Sequence, residues 1–127
     1  MTSRIAAIAI DAHDLRKVAE FWVAVLGWSV AEEVPGEIVT IAPAGDAGGV
    51  TIDVVKVPES KTIKNRLHLD IRADGSTQAQ EVERLIGLGA RPADVGQGPD
   101  VSWVTLADPE GNEFCVLSRS VQDLKAE

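Results

Sequence analysis

The sequence holds one cysteine (Cys115), no tyrosine, two phenylalanines, one methionine and two histidines. A single thiol excludes an internal disulfide and makes a reducing cytoplasm the expected compartment. The longest apolar stretch lies near Phe21–Gly27, far below the ~20 residues that span a bilayer. A strand-like run follows Met1–Arg4 directly, without the apolar core and cleavage site of a secretory leader. Basic residues are scarce: 12 Lys and Arg stand against 20 Asp and Glu, a net charge of −8. That balance disfavours phosphate backbones and anionic membranes, so neither nucleic acid nor membrane is an expected partner. The sequence also lacks a glycine-rich phosphate loop in strand–helix context, a placeable Ser-His-Asp order and interleaved aromatic and basic residues. What remains is enough for a core: 127 residues, 45% of them hydrophobic and 25% charged, suit one small domain.

Periodicity organises the chain into two copies of one pattern. Ile8 and Ile10 alternate with Ala7, Ala9 and Asp11 as a strand does. Asp14 then caps a helix with Leu15, Val18, Trp22, Val25 and Leu26 at helical spacing, and Gly27 ends it. Strands are expected at Trp28–Glu32, Glu37–Ala42 and Val50–Val57, with turns at Pro35-Gly36 and Pro43–Gly49. The order recurs. Leu67, Leu69 and Ile71 alternate with His68, Asp70 and Arg72, and Thr77 with Gln80 forms a capping-box pattern. Ala79, Val82, Leu85 and Ile86 are the expected buried stripe of the second helix, closed by Gly89. Strands are expected at Arg91–Val95, Val101–Ala107 and Glu113–Ser118. The predicted fold is α+β: two tandem βαβββ modules forming a cupped, partly open mixed sheet with helices outside. The first module spans about residues 4–57, a linker 58–65, the second module about 66–118, and a charged tail 119–127.

Strand alternation divides side chains between two faces. Leu67, Leu69, Ile71, Phe114 and Val116, with Ile8, Ile10, Ile52 and Val54, form the set expected against the helices. His68, Asp70, Arg72, Glu113 and Cys115, with Ala7, Ala9, Asp11, Thr51, Asp53 and Val55, form the set expected on the open face. A concave face with a few convergent polar groups is where a small molecule binds.

Ala12-His13-Asp14-Leu15 leading to Phe21-Trp22 and Leu26-Gly27-Trp28, and the turn Asp108-Pro109-Glu110-Gly111-Asn112-Glu113-Phe114, resemble the vicinal oxygen chelate superfamily. That superfamily includes glyoxalase I, extradiol dioxygenases, and fosfomycin and bleomycin resistance proteins. The stretch Val57–Thr62 followed by Lys64–Asp70 is similar to a bacterial subgroup described only as glyoxalase-like. The resemblance covers roughly residues 4–118. It implies a divalent metal held by side chains from the first and last strands of each copy, with open positions for substrate oxygens. Those positions fall here at Ala7, Asp53, His68 and Cys115. Ala7 has no donor atom, Cys115 stands where glutamate is usual, and Asp53 is a shorter acid. Three donors with an open position would suit zinc, and a thiolate turns preference away from manganese or magnesium. The expectation is a cleft without a resident metal, zinc being the ion favoured if one binds.

The remaining candidates each have a plainer alternative. His68 beside Asp70 is a candidate proton acceptor, while Asp70 could equally pair with Arg66 or Arg72. His13, next to a cap, reads as a solvated loop histidine. Cys115 reads first as a small buried hydrophobe and second as a reactive thiol beside His68. Glu113 is a weak catalytic candidate, with a solvated strand-end residue preferred. Trp22 fits the helix core. Trp28 and Trp103 are candidate stacking surfaces for a planar ligand, with packing the simpler role. Lys61, Lys64 and Arg66 would either draw an anion to the cleft or form a solvated linker. Two functions are therefore carried forward: a lyase, isomerase or dioxygenase relative, and a sequestration protein of the bleomycin-resistance type, with a regulatory relative third. A small-molecule ligand is expected in the first two, the third having no small-molecule chemistry left, and a homodimer is expected throughout.

Overall fold

A computed structural model of the chain describes residues 1–45, 49–94 and 100–126. It divides into two units, Met1–Ser60 and Lys61–Glu127, each taken by itself below.

In the first unit, β1 (Ala7–Ala12) leads into α1 (Leu15–Leu26), followed by β2 (Ser29–Val34), β3 (Ile38–Ala42) and β4 (Thr51–Lys56). The helix begins where Asp14 accepts a hydrogen bond from the Lys17 N–H at 3.1 Å. It ends at Gly27, whose φ of 67° is left-handed and favours glycine. Its buried stripe comprises Val18, Ala19, Phe21, Trp22 and Val25, with Phe21 and Trp22 edge-to-face at 5.2 Å. The sheet order is β1-β4-β3-β2. β1 runs parallel to β4, which a crossover helix permits, and the other pairs are antiparallel. Val39, Ile41, Ile52 and Val54 face α1 and are buried, while Thr40 and Asp53, opposite each other in register, are half-buried on the other face.

The second unit repeats the plan with β5 (Leu69–Ile71), α2 (Gln78–Leu88), β6 (Arg91–Pro92), β7 (Val104–Ala107) and β8 (Glu113–Val116), in the order β5-β8-β7-β6. β5 is parallel to β8. The capping box is formed: the Gln80 N–H donates to Thr77 Oγ1 at 3.2 Å, and the Thr77 N–H donates to Gln80 Oε1 at 3.1 Å. Leu85, Leu106, Phe114 and Val116 form the buried core. Asp108, fully buried, shapes the turn into β8. Its carboxylate accepts from the backbone N–H groups of Glu110 and Asn112 and from Asn112 Nδ2, at 2.9–3.0 Å.

The duplicated fold is as expected, with local corrections. Leu67 is 89% exposed, because β5 starts only at Leu69 and alternation fails where no ladder holds the chain. Ala79 and Ile86 are exposed, whereas Glu81 is buried. The helix presents a narrow stripe around Leu85, and Glu81 tolerates that face because Arg84 holds both of its oxygens at 2.7 and 2.8 Å. β6 is short, Arg91–Pro92, although the Ala93 N–H still donates to the Thr105 carbonyl at 3.1 Å; Val95 lies outside the described residues. The expected strand Val101–Ala107 begins at Val104, and Glu113–Ser118 ends at Val116.

The expected tail contains a helix, α3 (Val121–Lys125), capped reciprocally by Ser120 and Asp123. Its start is tied down where the Val121 N–H donates to the Ala73 carbonyl at 2.8 Å. The expected linker is split as well, for Lys61 and Asn65 belong to the second unit.

Candidate functional site

The site grows from the register of the second sheet. Parallel pairing sets Asp70 beside Cys115, and antiparallel pairing sets Thr105 on the other side of Cys115. The next row, Leu69–Phe114–Leu106, has Phe114 and Leu106 in the core, so the Asp70–Cys115–Thr105 row faces the other way. The Thr105 hydroxyl and Cys115 Sγ lie 3.6 Å apart. His68 stands one residue before β5, two along from Asp70, and its Nε2 meets Asp70 Oδ1 at 3.2 Å. One donor atom from each of His68, Asp70 and Cys115 lies within 4.8 Å of the other two.

These side chains line a cavity of about 310 Å³ on that face, completed by Trp103, Thr105, Lys64, Glu113 and Leu117. The volume is at the small end of ligand cavities, which run from about 300 Å³. Trp103 is 40% exposed and presents a flat side chain to it.

Glu113 is not the solvated strand-end residue expected. Its side chain is 11% exposed, and Oε1 pairs with Lys61 Nζ at 2.5 Å while Oε2 accepts from the Asn65 N–H at 3.1 Å. Burial pushes its carboxyl up, but the hydrogen bonds from Lys61 and Asn65 and the lysine's charge together outweigh that and hold it below the usual glutamate value. Glu113 is thus an anion, held by Lys61 and Asn65, that ties residues 61–65 to the sheet. Lys61 is taken up by that contact. Lys64 is exposed and lines the cavity.

The other sequence candidates lie elsewhere. Asp53, expected among the metal donors, is not in the three-donor group. It belongs to the first unit, where its Oδ1 accepts from Thr40 Oγ1 at 2.6 Å, and Asp70 is the carboxylate brought to His68 and Cys115. Asp70 pairs with His68 and not with Arg72, whose guanidinium donates to the Arg119 carbonyl at 2.8 Å. Ala7 is exposed at the start of β1. Trp28 is half-buried after the Gly27 stop and does not line this cavity. His13 has its carbonyl held by Lys56 Nζ.

His13 also lines a hollow that the sequence reading did not foresee. It measures about 730 Å³, in the first unit, with Ala19, Val23, Val30 and Val39 as an apolar lining and Arg16, Glu20, Glu33 and Lys56 among the charged residues around it. It is larger than the cavity in the second unit, yet among the described residues the three-donor group lies at that smaller one. The missed signal was Val30, an apolar residue 53% exposed on the edge strand β2.

With fold and geometry in hand, comparison with known proteins identifies the class. Residues 7–117 match the glyoxalase-like domain family, and the chain belongs to that family, within the vicinal oxygen chelate superfamily. A comparison with curated proteins returns no match. Among solved structures, a variant of the fosfomycin resistance protein FosX from Listeria monocytogenes, complexed with Mn(II) and 1S,2S-dihydroxypropylphosphonic acid, superposes with a TM-score of 0.70 at 17% identity, covering 99% of this chain and 98% of that one. A glyoxalase/bleomycin resistance protein/dioxygenase family enzyme from Burkholderia phytofirmans PsJN gives 0.63 at 20% identity over 90% and 97%. The antibiotic binding protein TnmS3 from Streptomyces sp. CB03234 gives 0.59 at 17% over 94% and 98%. At these identities the likeness is one of fold.

Proposed function

We propose that this chain binds a small organic molecule in the second unit's cavity, with His68 as the group that exchanges a proton with it. One observation carries the reading: an imidazole, a carboxylate and a thiol converge within 4.8 Å at a cavity walled by an indole. Asp70, in contact with Nε2, orients the imidazole. Trp103 offers a stacking face, and Lys64 supplies a positive charge in a protein that is otherwise acidic. The antibiotic-binding relative supports sequestration as the form this takes. The test is a tryptophan-fluorescence titration with a panel of planar small molecules, repeated on His68→Ala and Trp103→Phe. Saturable quenching weakened by both substitutions is expected. Binding that neither substitution changes puts the ligand elsewhere and overturns the reading.

A second reading, metal-assisted catalysis, is favoured by the chemistry of the same donors. In a tetrahedral zinc site, ligand distances of about 2.0–2.3 Å place donor atoms roughly 3.3–3.8 Å apart. His68 Nε2 and Asp70 Oδ1, 3.2 Å apart, are already close to that spacing, and Cys115 lies within 4.8 Å of the group. The thiol makes the set suit zinc over manganese, the ion in the FosX complex. Bound there, zinc would polarise a substrate carbonyl oxygen. Elemental analysis of purified protein, with zinc titration of His68→Ala alongside, decides it. Stoichiometric zinc lost with His68→Ala supports this reading, and no zinc under any condition removes it. We also place the chain in the cytoplasm as a homodimer; light scattering at the 13.5 kDa of one chain would refute the dimer.

A further inference from the structure

We propose that Cys115 is a covalent capture site: its thiol adds to the β-carbon of a small α,β-unsaturated carbonyl compound seated in the cavity, with His68 taking the thiol proton. The inference rests on the reading that this cavity admits small organic molecules.

The surroundings of the thiol argue against packing as its whole role. A cysteine serving as a small hydrophobe sits among apolar side chains. Cys115 is 7% exposed, yet its neighbours are the Thr105 hydroxyl at 3.6 Å and the His68 and Asp70 donors within 4.8 Å. It occupies the middle of β8 between β5 and β7, and it lines the cavity. Burial in the sheet with one open side protects the thiol from bulky reagents and selects a small electrophile. Trp103 on the wall favours a flat, conjugated one.

The step is balanced without another reactant. As the S–C bond forms, the C=C π pair moves toward the carbonyl, and the thiol proton passes to His68. Asp70 stabilises the imidazolium that results. That proton then returns to the α-carbon, leaving a saturated thioether and a neutral imidazole. A separation of up to 4.8 Å between donor atoms is longer than a hydrogen bond, as catalytic contacts often are before a ligand binds.

The test uses the full chain with N-ethylmaleimide, followed by intact mass, with and without EDTA. A single adduct, absent in Cys115→Ser, is expected to form at a saturable rate at least about tenfold above that of glutathione under the same conditions, and to slow about tenfold or more in His68→Asn. His13→Asn should react like the parent. Fast labelling that requires EDTA also supports the proposal, since zinc then shares the same thiol. Labelling no faster than glutathione in both conditions, or unchanged in His68→Asn, overturns it. The unreactive analogue N-ethylsuccinimide separates the two failures. Quenching of tryptophan emission by it without maleimide labelling sinks the capture step and leaves the binding reading standing. Neither quenching nor labelling sinks both.

Discussion

In the first unit the row Ala9–Asp53–Thr40 crosses the sheet, and in the second the row Asp70–Cys115–Thr105 occupies the same register. The threonines are twins: each touches the central residue of its row, Thr40 the Asp53 carboxylate and Thr105 the Cys115 sulfur. What differs is the centre, Asp53 in one copy and Cys115 in the other, and the outer position, Ala9 against Asp70, with His68 added two residues before Asp70. The helices differ in the opposite sense. α1 buries five residues against its sheet, whereas α2 buries Leu85 and the Arg84-paired Glu81. One copy is thus richer in helix packing and the other in convergent donor groups. Duplication keeps the backbone plan, while each copy's side chains are free to serve stability or chemistry.

That contrast can be broken by mutation. The largest effect is expected for Trp22→Ala, which empties the centre of the α1 interface and should cost about 4 kcal/mol in chemical denaturation. The equivalent strike on the second unit, Leu85→Ala, should cost about 3 kcal/mol; a larger loss there than for Trp22→Ala would reverse the ranking of the two cores. Lys61→Met leaves the buried Glu113 carboxylate without its cation and should cost about 2 kcal/mol at neutral pH, between the values for surface and fully buried pairs.

The pH dependence of that pair has a definite sign. Glu113 titrates lower in the folded chain than its ordinary value of 4.5. Its contribution is therefore complete above that value and is lost as pH falls through the lower folded value. Unfolding measured from pH 6 down to pH 2 should show a shallower acid limb in Lys61→Met than in the parent. The smallest effect on stability, within about 0.5 kcal/mol, is expected for Ala7→His with Ala9→Asp at exposed positions. This pair writes the second unit's donors into the first, beside Asp53. Calorimetric zinc titration in a His68→Ala background should then show one added equivalent, and no added zinc would mean that shared register alone does not make shared chemistry.

Much of this was legible along the chain because it depends on near neighbours. Asp14, Thr77 with Gln80, and the stops Gly27 and Gly89 act within one helical turn. Alternation put Glu113 and Cys115 opposite Phe114 and Val116. Leu67 shows where such reasoning ends, since alternation has no meaning outside the ladder. The α3 cap, Ser120 with Asp123, was equally local and was overlooked in a stretch read by its charge. The strap held by Lys61, Asn65 and Glu113 joins residues 48 and 52 apart in sequence and has no local signature.

The amino-acid order alone fixed the two-copy plan, the helix limits and the presence of His68 and Cys115 on one face, because those follow from backbone periodicity and capping. Only the folded chain brought Asp70 to His68 and Cys115, tied Glu113 to Lys61 and Asn65, and set an indole at the cavity wall. Those outcomes depend on strand register and on which distant group reaches a carboxylate first, and both are settled by packing in three dimensions.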